Sequence, residues 1–233
     1  MTMPRFDRRA MLVLGGVLLA TLLLRLPSLF EPPWYDDEGI YAAVAQSMLA
    51  GSRLYTDVAD SRPPGMYLIY ALLLAVNSFD VFAVKLGATA AVLMTQVSVF
   101  YLAWKGWGVR TAGVAIALLG LLTALPVTEG NLANAEVFMA LPVAVGMLLA
   151  VHRHYLWAGI AFGTAFLIKQ ITGVELAACL VGLLLFAPEP RRSILLTLAG
   201  FVAPVVVATI GLAAVDVLND FLFVGFGYYF GYV

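Results

Sequence analysis

Acidic residues are scarce in this sequence, yet three stand together at Asp36-Asp37-Glu38, directly after the first long apolar stretch. A carboxylate at this position could act as a general base or help to bind a cation. A structural role is equally open, because Asp37 suits the N-cap of a helix and Glu38 suits the positive end of the helix dipole. The two roles are compatible, since a capping carboxylate can still face a cavity.

Three further polar residues could complete a reaction centre. Arg62 precedes a proline pair, and a guanidinium held beside a helix start suits either a phosphate or lipid headgroups. Lys169 interrupts an apolar segment, at a cost of about 2.5–3.5 kcal/mol if it lies deep in a membrane. We therefore expect Lys169 near the surface or paired with Glu136 or Glu175. Glu136 could also serve only the start of a helix.

Composition indicates which elements must position these residues. Hydrophobic residues make up 63% of the chain and charged residues 12%, compared with about half and a quarter in soluble domains. Apolar runs of about 20 residues predict transmembrane helices rather than a β-barrel. We expect no nucleic-acid partner and no metal site, and His152 and His154 fit a solvated turn. The single cysteine, Cys179, excludes an intramolecular disulfide.

Seven apolar runs predict an all-α membrane protein with about seven transmembrane helices. They are Ala10–Phe30, Val81–Trp104, Thr111–Val127, Val137–Val151, Tyr155–Ile168, Gly173–Ala187 and Ile194–Val215. The first run follows Arg5–Arg9 like a signal peptide, but no small-residue cleavage site follows it, so we predict a retained span. The run Gly65–Val76 is too short to cross at about 1.5 Å per residue.

The distribution of basic residues predicts the topology. Cytoplasmic positions in the seven-span layout are Arg5, Arg8, Arg9, Lys105, Arg110, Arg153, Arg191 and Arg192. This excess places the N-terminus in the cytoplasm. A long first loop, residues 31–80, then lies outside with two interfacial helices, one over Glu38–Ala50 ended by Gly51 and one after Pro63-Pro64. We predict a single module over residues 1–233.

Several motifs, taken in order, carry a resemblance. Asp-Glu heads a short helix that ends in Met48-Leu49-Ala50-Gly51, and a basic residue then precedes Pro-Pro and an aromatic, apolar run at Arg62–Tyr67. Asn131–Glu136 and Leu167–Gln170 continue the pattern. The sequence resembles the polyprenyl-phosphate-sugar-dependent glycosyltransferases of the GT-C superfamily, in the branch of protein O-mannosyltransferases and aminoarabinose transferases. The aminoarabinose transferases have an arginine where this chain has Ile40, which argues against that sugar.

The resemblance implies a reaction. The sugar would come from a polyprenyl-phosphate donor in a bacterial-type plasma membrane, and the acceptor would arrive from the outer face. Asp37, beside Glu38, would be the general base of an inverting displacement. Arg62, and less strongly Lys169 and Lys85, would bind the donor phosphate, and Glu136 would be a second acidic site for the acceptor or a cation. The resemblance leaves the need for a divalent cation open.

Two alternatives remain at this point. Family enzymes usually continue with further spans and an outer domain, which this chain would lack, so a non-catalytic GT-C subunit bound to other membrane proteins is the main alternative. A transporter would instead predict charges at the middle of the membrane and internal repeats with broken helices. Most charges here map to the ends of the predicted spans, which favours the transferase.

Overall fold

The computed structural model describes residues 7–31, 36–58, 60–76 and 81–227, and the regular secondary structure of this part of the chain is helical apart from an isolated bridge between Leu54 and Val58. The α-helices are α1 (Arg8–Arg25), α2 (Asp36–Leu49), α3 (Pro64–Val76), α4 (Val81–Leu122), α5 (Ala135–Val151), α6 (Tyr155–Ile168), α7 (Thr172–Phe186), α8 (Pro190–Ala214) and α9 (Leu218–Leu222). The predicted all-α class is confirmed. Arg5, used above for the topology, lies outside the described residues.

The helix α4 folds back on itself. Gly108 has φ 85° and ψ 175°, which is not helical. The amide Nε2 of Gln96 donates a hydrogen bond to the carbonyl of Ile116 at 2.8 Å, although a straight helix would separate these residues by about 30 Å. The helix therefore consists of two antiparallel arms, 81–107 and 109–122. They correspond to the second and third predicted apolar runs.

Two of the described helices, α4 and α8, are long and apolar enough to cross a membrane by length and composition. The apolar helices α3, α5, α6 and α7 contain 13 to 17 residues, or about 20–26 Å at 1.5 Å per residue. A bilayer core is about 30 Å thick. The count of seven spans therefore stays a prediction.

Glycines bring α6 and α8 into close contact. A Cβ on Gly159 would collide with the carbonyl oxygen of Thr197, and one on Gly200 would collide with that of Leu156. Small residues at such positions allow membrane helices to pack backbone to backbone. This contact fixes α6, which ends just before Lys169, and it therefore helps to position that lysine.

The buried side chain of Arg25 joins α1 to both arms of α4. Its Nε donates to the hydroxyl of Thr89 at 3.3 Å, and its Nη1 donates to the carbonyls of Thr123 and, at 2.7 Å, Gly130. These groups lie at the C-terminal end of α1, near the start of α4 and just after its second arm. The contacts collect those chain segments at one end of the bundle, which we call the polar end.

The helix α2 differs from its prediction in two details. It begins at Asp36, so Asp37 lies in the first turn and the N-cap prediction for Asp37 is wrong. The amphipathic pattern of this helix predicts that Ile40, Tyr41 and Val44 share its apolar face. Tyr41 and Val44 are buried, whereas Ile40 is 42% exposed. The predicted stop is confirmed, because Gly51 adopts φ 101°, a conformation that favours glycine. The next helix, α3, begins at Pro64 as predicted.

Candidate functional site

An ion pair between Asp37 and Arg62 lies at the polar end of the bundle. Nη2 of Arg62 is 3.5 Å from Oδ2 of Asp37, and the two side chains are 26% and 33% exposed. Asp37 lies in the first turn of α2, and Arg62 lies two positions before the start of α3. A partly exposed carboxylate beside a permanent cation can accept a proton while the cation binds an anion.

Tyr41 forms a hydrogen bond with the aspartate of this pair. One helical turn after Asp37, its buried phenol donates a hydrogen bond to Oδ2 of Asp37 at 3.2 Å. Burial raises the pKa of Tyr41, and this effect outweighs the opposing charge of Arg62. The phenol therefore keeps its proton and remains a donor. The sequence pattern places Tyr41 on the apolar face of the helix, and its spacing of four residues from Asp37 is the signal that could have predicted this contact.

A set of polar contacts holds the backbone around Arg62. The hydroxyl of Tyr55 donates to the carbonyl of Arg62 at 2.9 Å, and the hydroxyl of Tyr67 donates to Oδ2 of Asp60 at 2.7 Å. Nε2 of Gln170 donates to the carbonyl of Ser61 at 3.3 Å. These bonds come from α3, from the turn between α6 and α7 and from the loop after α2, and they hold the segment that carries the guanidinium in place.

The electrostatic surroundings keep Arg62 charged. Burial alone would lower its pKa, but contact with Tyr41 and Asp37 more than offsets this and raises the pKa above the ordinary value. The guanidinium therefore remains a fixed positive charge with donors suited to a carboxylate or a phosphate.

Glu38, the neighbour of Asp37, forms a buried ion pair with Lys85. Nζ of Lys85 lies 2.8 and 2.9 Å from the two carboxylate oxygens, and both side chains are 2% exposed. Oε1 also accepts the backbone N–H of Ala133 at 2.5 Å. The hydroxyl of Tyr70 donates to the carbonyl of the same alanine at 2.9 Å. This network connects α2, α3, α4 and the segment before α5.

Lys169 pairs with Glu136, one of the two partners that the sequence predicted for it. The ammonium group at the end of α6 contacts Oε1 of the glutamate at the start of α5, and the two side chains are 16% and 55% exposed. Burial raises the pKa of Glu136, but the hydrogen bond from Lys169 and the charge of Arg62 bring the net pKa below its ordinary value. Glu136 is therefore within electrostatic reach of the Asp37–Arg62 pair.

The structure thus distributes the six predicted residues over three acid–base pairs at one end of the bundle. Two of them, Asp37–Arg62 and Lys169–Glu136, have exposed surface, and the third, Glu38–Lys85, is enclosed. Among the residues that the structure describes, no group of three or more His, Cys, Asp or Glu side chains is arranged to hold a metal ion.

Comparison with protein families gives one match that covers more than half of the chain. The family model is described as dolichyl-phosphate-mannose-protein mannosyltransferase, and it matches residues 61–216. The chain belongs to this family. Membership in this mannosyltransferase family of GT-C type indicates a membrane glycosyltransferase. The match includes Arg62, Lys85, Glu136 and Lys169 and begins after Asp37 and Glu38. Comparisons with curated proteins and with solved structures give no match.

Proposed function

We propose that this member of the mannosyltransferase family transfers a sugar from a polyprenyl-phosphate donor to an acceptor hydroxyl, with inversion at the anomeric carbon. The single observation that carries the proposal is the pairing of a partly exposed carboxylate, Asp37, with a permanently charged guanidinium, Arg62, at one end of an apolar helix bundle. A lipid tail holds the donor phosphate near the membrane surface, where such a pair can reach it.

In the proposed reaction Asp37 accepts the proton of the acceptor hydroxyl as its oxygen bonds to the anomeric carbon. The bond between that carbon and the phosphate oxygen breaks, and polyprenyl phosphate leaves with the electron pair. The leaving group needs positive charge more than a proton, and Arg62 supplies this charge. A single displacement of this kind inverts the configuration at the anomeric carbon.

The pairing suggests how donor binding prepares the base. In the absence of donor, the guanidinium of Arg62 is shared with Asp37. A phosphate would compete for the same donors, and its binding would release Oδ2 of Asp37 towards the acceptor. Tyr41 would then remain as the hydrogen-bond donor that fixes the carboxylate.

The remaining candidates take different roles in this proposal. Lys169 is a second phosphate ligand, because it is partly exposed and its partner Glu136 is at the surface. Lys85 and Glu38 become structural rather than phosphate-binding and catalytic, because each neutralises the other away from solvent. Glu136 faces the acceptor side.

We also propose that the polar end faces outward and the N-terminus lies in the cytoplasm. The opposite end of the bundle carries Lys105 and Arg110 around the turn of α4, Arg153 between α5 and α6, and Arg191 and Arg192 at the start of α8. Basic residues accumulate on the cytoplasmic side of plasma membrane proteins. This distribution supports an outer location for the reaction.

Turnover of the donor tests the proposal. Purified protein in lipid nanodiscs is given a panel of polyprenyl-phosphate sugars together with candidate acceptors, and release of polyprenyl phosphate is measured. We expect wild type to consume one donor and Asp37→Asn to be slower by about 10²–10⁴-fold, the range typical of a lost general base. The matched control, Asp57→Asn, removes an exposed carboxylate of the loop between α2 and α3 that pairs with Arg53.

Two results would count against the proposal. Equal turnover by wild type and Asp37→Asn would remove Asp37 as the base. No turnover of any donor by folded wild-type protein, across a broad set of acceptors, would favour a non-catalytic subunit of the GT-C type.

A further inference from the structure

A cavity of about 320 Å³ lies beside the pair of Lys169 and Glu136, between the two arms of α4, the start of α5 and the connecting loop. Its volume is at the lower end of the range of small-molecule sites. Glu136 belongs both to the cavity wall and to the pair with Lys169. The cavity therefore adjoins the proposed reaction centre without containing Asp37 or Arg62.

The polar atoms of this cavity are mainly hydrogen-bond acceptors. Asn134 lines the cavity, is only 6% exposed, and has at Oδ1 no hydrogen-bond partner among the described residues. Glu129 and Glu136 add two carboxylates to the lining. The hydroxyl protons of Thr95 and Thr123 are already used on the carbonyls of Ala91 and Leu119, so these oxygens can still accept. None of the described lining residues carries a cationic side chain.

An acceptor-rich lining selects for ligands that bring their own donors. A buried amide oxygen without a donor is unfavourable, and a hydroxyl or ammonium group placed there would satisfy it. A phosphate would add negative charge beside Glu129 and Glu136, of which Glu136 already has Lys169 as its counter-charge. The headgroup that fits is therefore rich in hydroxyl groups or carries an amine.

The remaining wall is apolar. Val92 and Leu119 line it from the two arms of α4, and Val137 and Ala140 line it from α5. The combination of this wall with the polar atoms suits an amphiphile, whose headgroup would lie near Asn134 and Glu136 and whose apolar part would lie along the helices. Within a membrane, such a molecule can enter from the bilayer.

The position of the wall is fixed by the buried network. The N–H of Ala133 is bound by Glu38, and its carbonyl is bound by Tyr70. Arg25 binds the carbonyls of Thr123 and Gly130, two further lining residues. The cavity therefore has a fixed relation to the helix that carries Asp37.

We propose that this cavity binds the acceptor, and that the acceptor is an amphiphile with a headgroup rich in hydroxyl groups or bearing an amine. The assignment as acceptor rests on the proposed function, whereas the preference for a donor-rich headgroup rests on the cavity alone. The acceptor and the donor phosphate would then approach Asp37 from different sides, with Glu136 and Lys169 between them.

Photolabelling can test the cavity without any turnover. The probe is a dodecyl β-glucoside with a diazirine in its alkyl chain, and the comparison probe is dodecyl phosphate with the same diazirine. Wild-type protein in nanodiscs is irradiated with each probe, and the labelled peptides are identified by mass spectrometry. We expect the glucoside to label peptides from residues 119–140, and we expect excess octyl glucoside to compete.

Two variants and a matched control make the test specific. Ala140→Trp fills the cavity, and Asn134→Leu removes the unpartnered acceptor at similar size. We expect each to reduce labelling at least about tenfold, the equivalent of a 1.4 kcal/mol loss in affinity. Ala178→Trp places the same bulk in a separate cavity of about 420 Å³ at the opposite end of the bundle, and it should leave the labelling of residues 119–140 unchanged.

The proposal would be overturned by any of three results. These are an absence of glucoside labelling in residues 119–140, stronger labelling of that region by the alkyl phosphate, or wild-type labelling in both cavity variants. If Ala140→Trp does not fold, the labelling of Asn134→Leu alone tests the proposal. Because the labelling needs neither donor nor Asp37, its failure is distinguishable from failure of the proposed function.

Discussion

Asp37 and Glu38 are adjacent in sequence but occupy opposite environments. Asp37 keeps a third of its side-chain surface exposed and lies 3.5 Å from Arg62, which is also partly exposed. Glu38 is enclosed and lies 2.8 Å from a lysine that is equally enclosed. Successive residues of a helix point about 100° apart, so one turn of α2 can present one carboxylate to the surface and bury the next.

The difference in environment implies a difference in role. A buried ion pair is held because separating it would leave an uncompensated charge away from water. A pair that is in contact with solvent can be separated at a small cost in free energy, because water or a new ligand can replace either partner. The Glu38–Lys85 pair can therefore fix the site, whereas the Asp37–Arg62 pair can exchange partners during a reaction.

Removal of one buried charge should have the largest effect. We expect Lys85→Met to lower the free energy of unfolding by about 3–5 kcal/mol, because Glu38 is left buried without its counter-charge. The loss would appear as a lower melting temperature and a lower folded yield in detergent. Asp37→Asn, which changes the neighbouring acid, should change the free energy of unfolding by less than about 1 kcal/mol.

A double variant distinguishes pairing from general disruption. Replacing both partners, as in Glu38→Gln with Lys85→Met, removes the unpaired charge, so part of the lost stability should return. A double variant that is less stable than both single variants would contradict the view that the pair acts mainly by mutual neutralisation. It would also weaken the contrast between the two acids.

The exposed pair is tested by phosphate binding. We expect Arg62→Ala to weaken the binding of farnesyl phosphate by about 10–100-fold, because hydrogen bonds to charged groups contribute about 1.5–3 kcal/mol. Arg62→Lys should give an intermediate loss, since it keeps the charge but not the planar set of donors. Titration by microscale thermophoresis in nanodiscs would measure both.

The matched control for this measurement is Arg53→Ala, which removes another arginine of the loop between α2 and α3 that pairs with an acid at the surface. Its affinity for farnesyl phosphate should stay near wild type. If Arg62→Ala binds the lipid phosphate as tightly as wild type does, Arg62 has no part in the phosphate site, and the two pairs differ only in exposure.

The sequence predicted much of the architecture because apolar runs and helix stops are local signals. The turn of α4 at Gly108 separates two runs that were predicted independently, and Gly51 ends α2 as expected. The family match over residues 61–216 bears out the resemblance that rested on ordered motifs. Local patterns were sufficient for these features because each depends on residues close together in the chain.

The partners of the charged residues were harder to predict because they depend on tertiary distance. The sequence indicated that Lys169 needed an acid and named Glu136 and Glu175 as candidates, since all three lie near the ends of predicted spans. Lys85 gave no such signal, because its partner Glu38 lies 47 residues earlier and one position beside the expected base. Asp37 and Glu38 differ in role because only Glu38 is buried. No local sequence pattern indicates which of two adjacent acids will be buried.

The smallest effect is expected at the pair between Lys169 and Glu136. Because the glutamate side chain is 55% exposed, solvent screening should limit the effect of Glu136→Gln on unfolding to less than about 1 kcal/mol. The pKa of Glu136 is lowered from 4.5, so the pair stabilises the fold above pH 4.5 and loses this contribution as the pH falls further. The difference in melting temperature between wild type and Glu136→Gln should therefore be largest near neutral pH and shrink below pH 4.5. An equally large difference at both pH values would show that the glutamate acts through packing rather than through its charge.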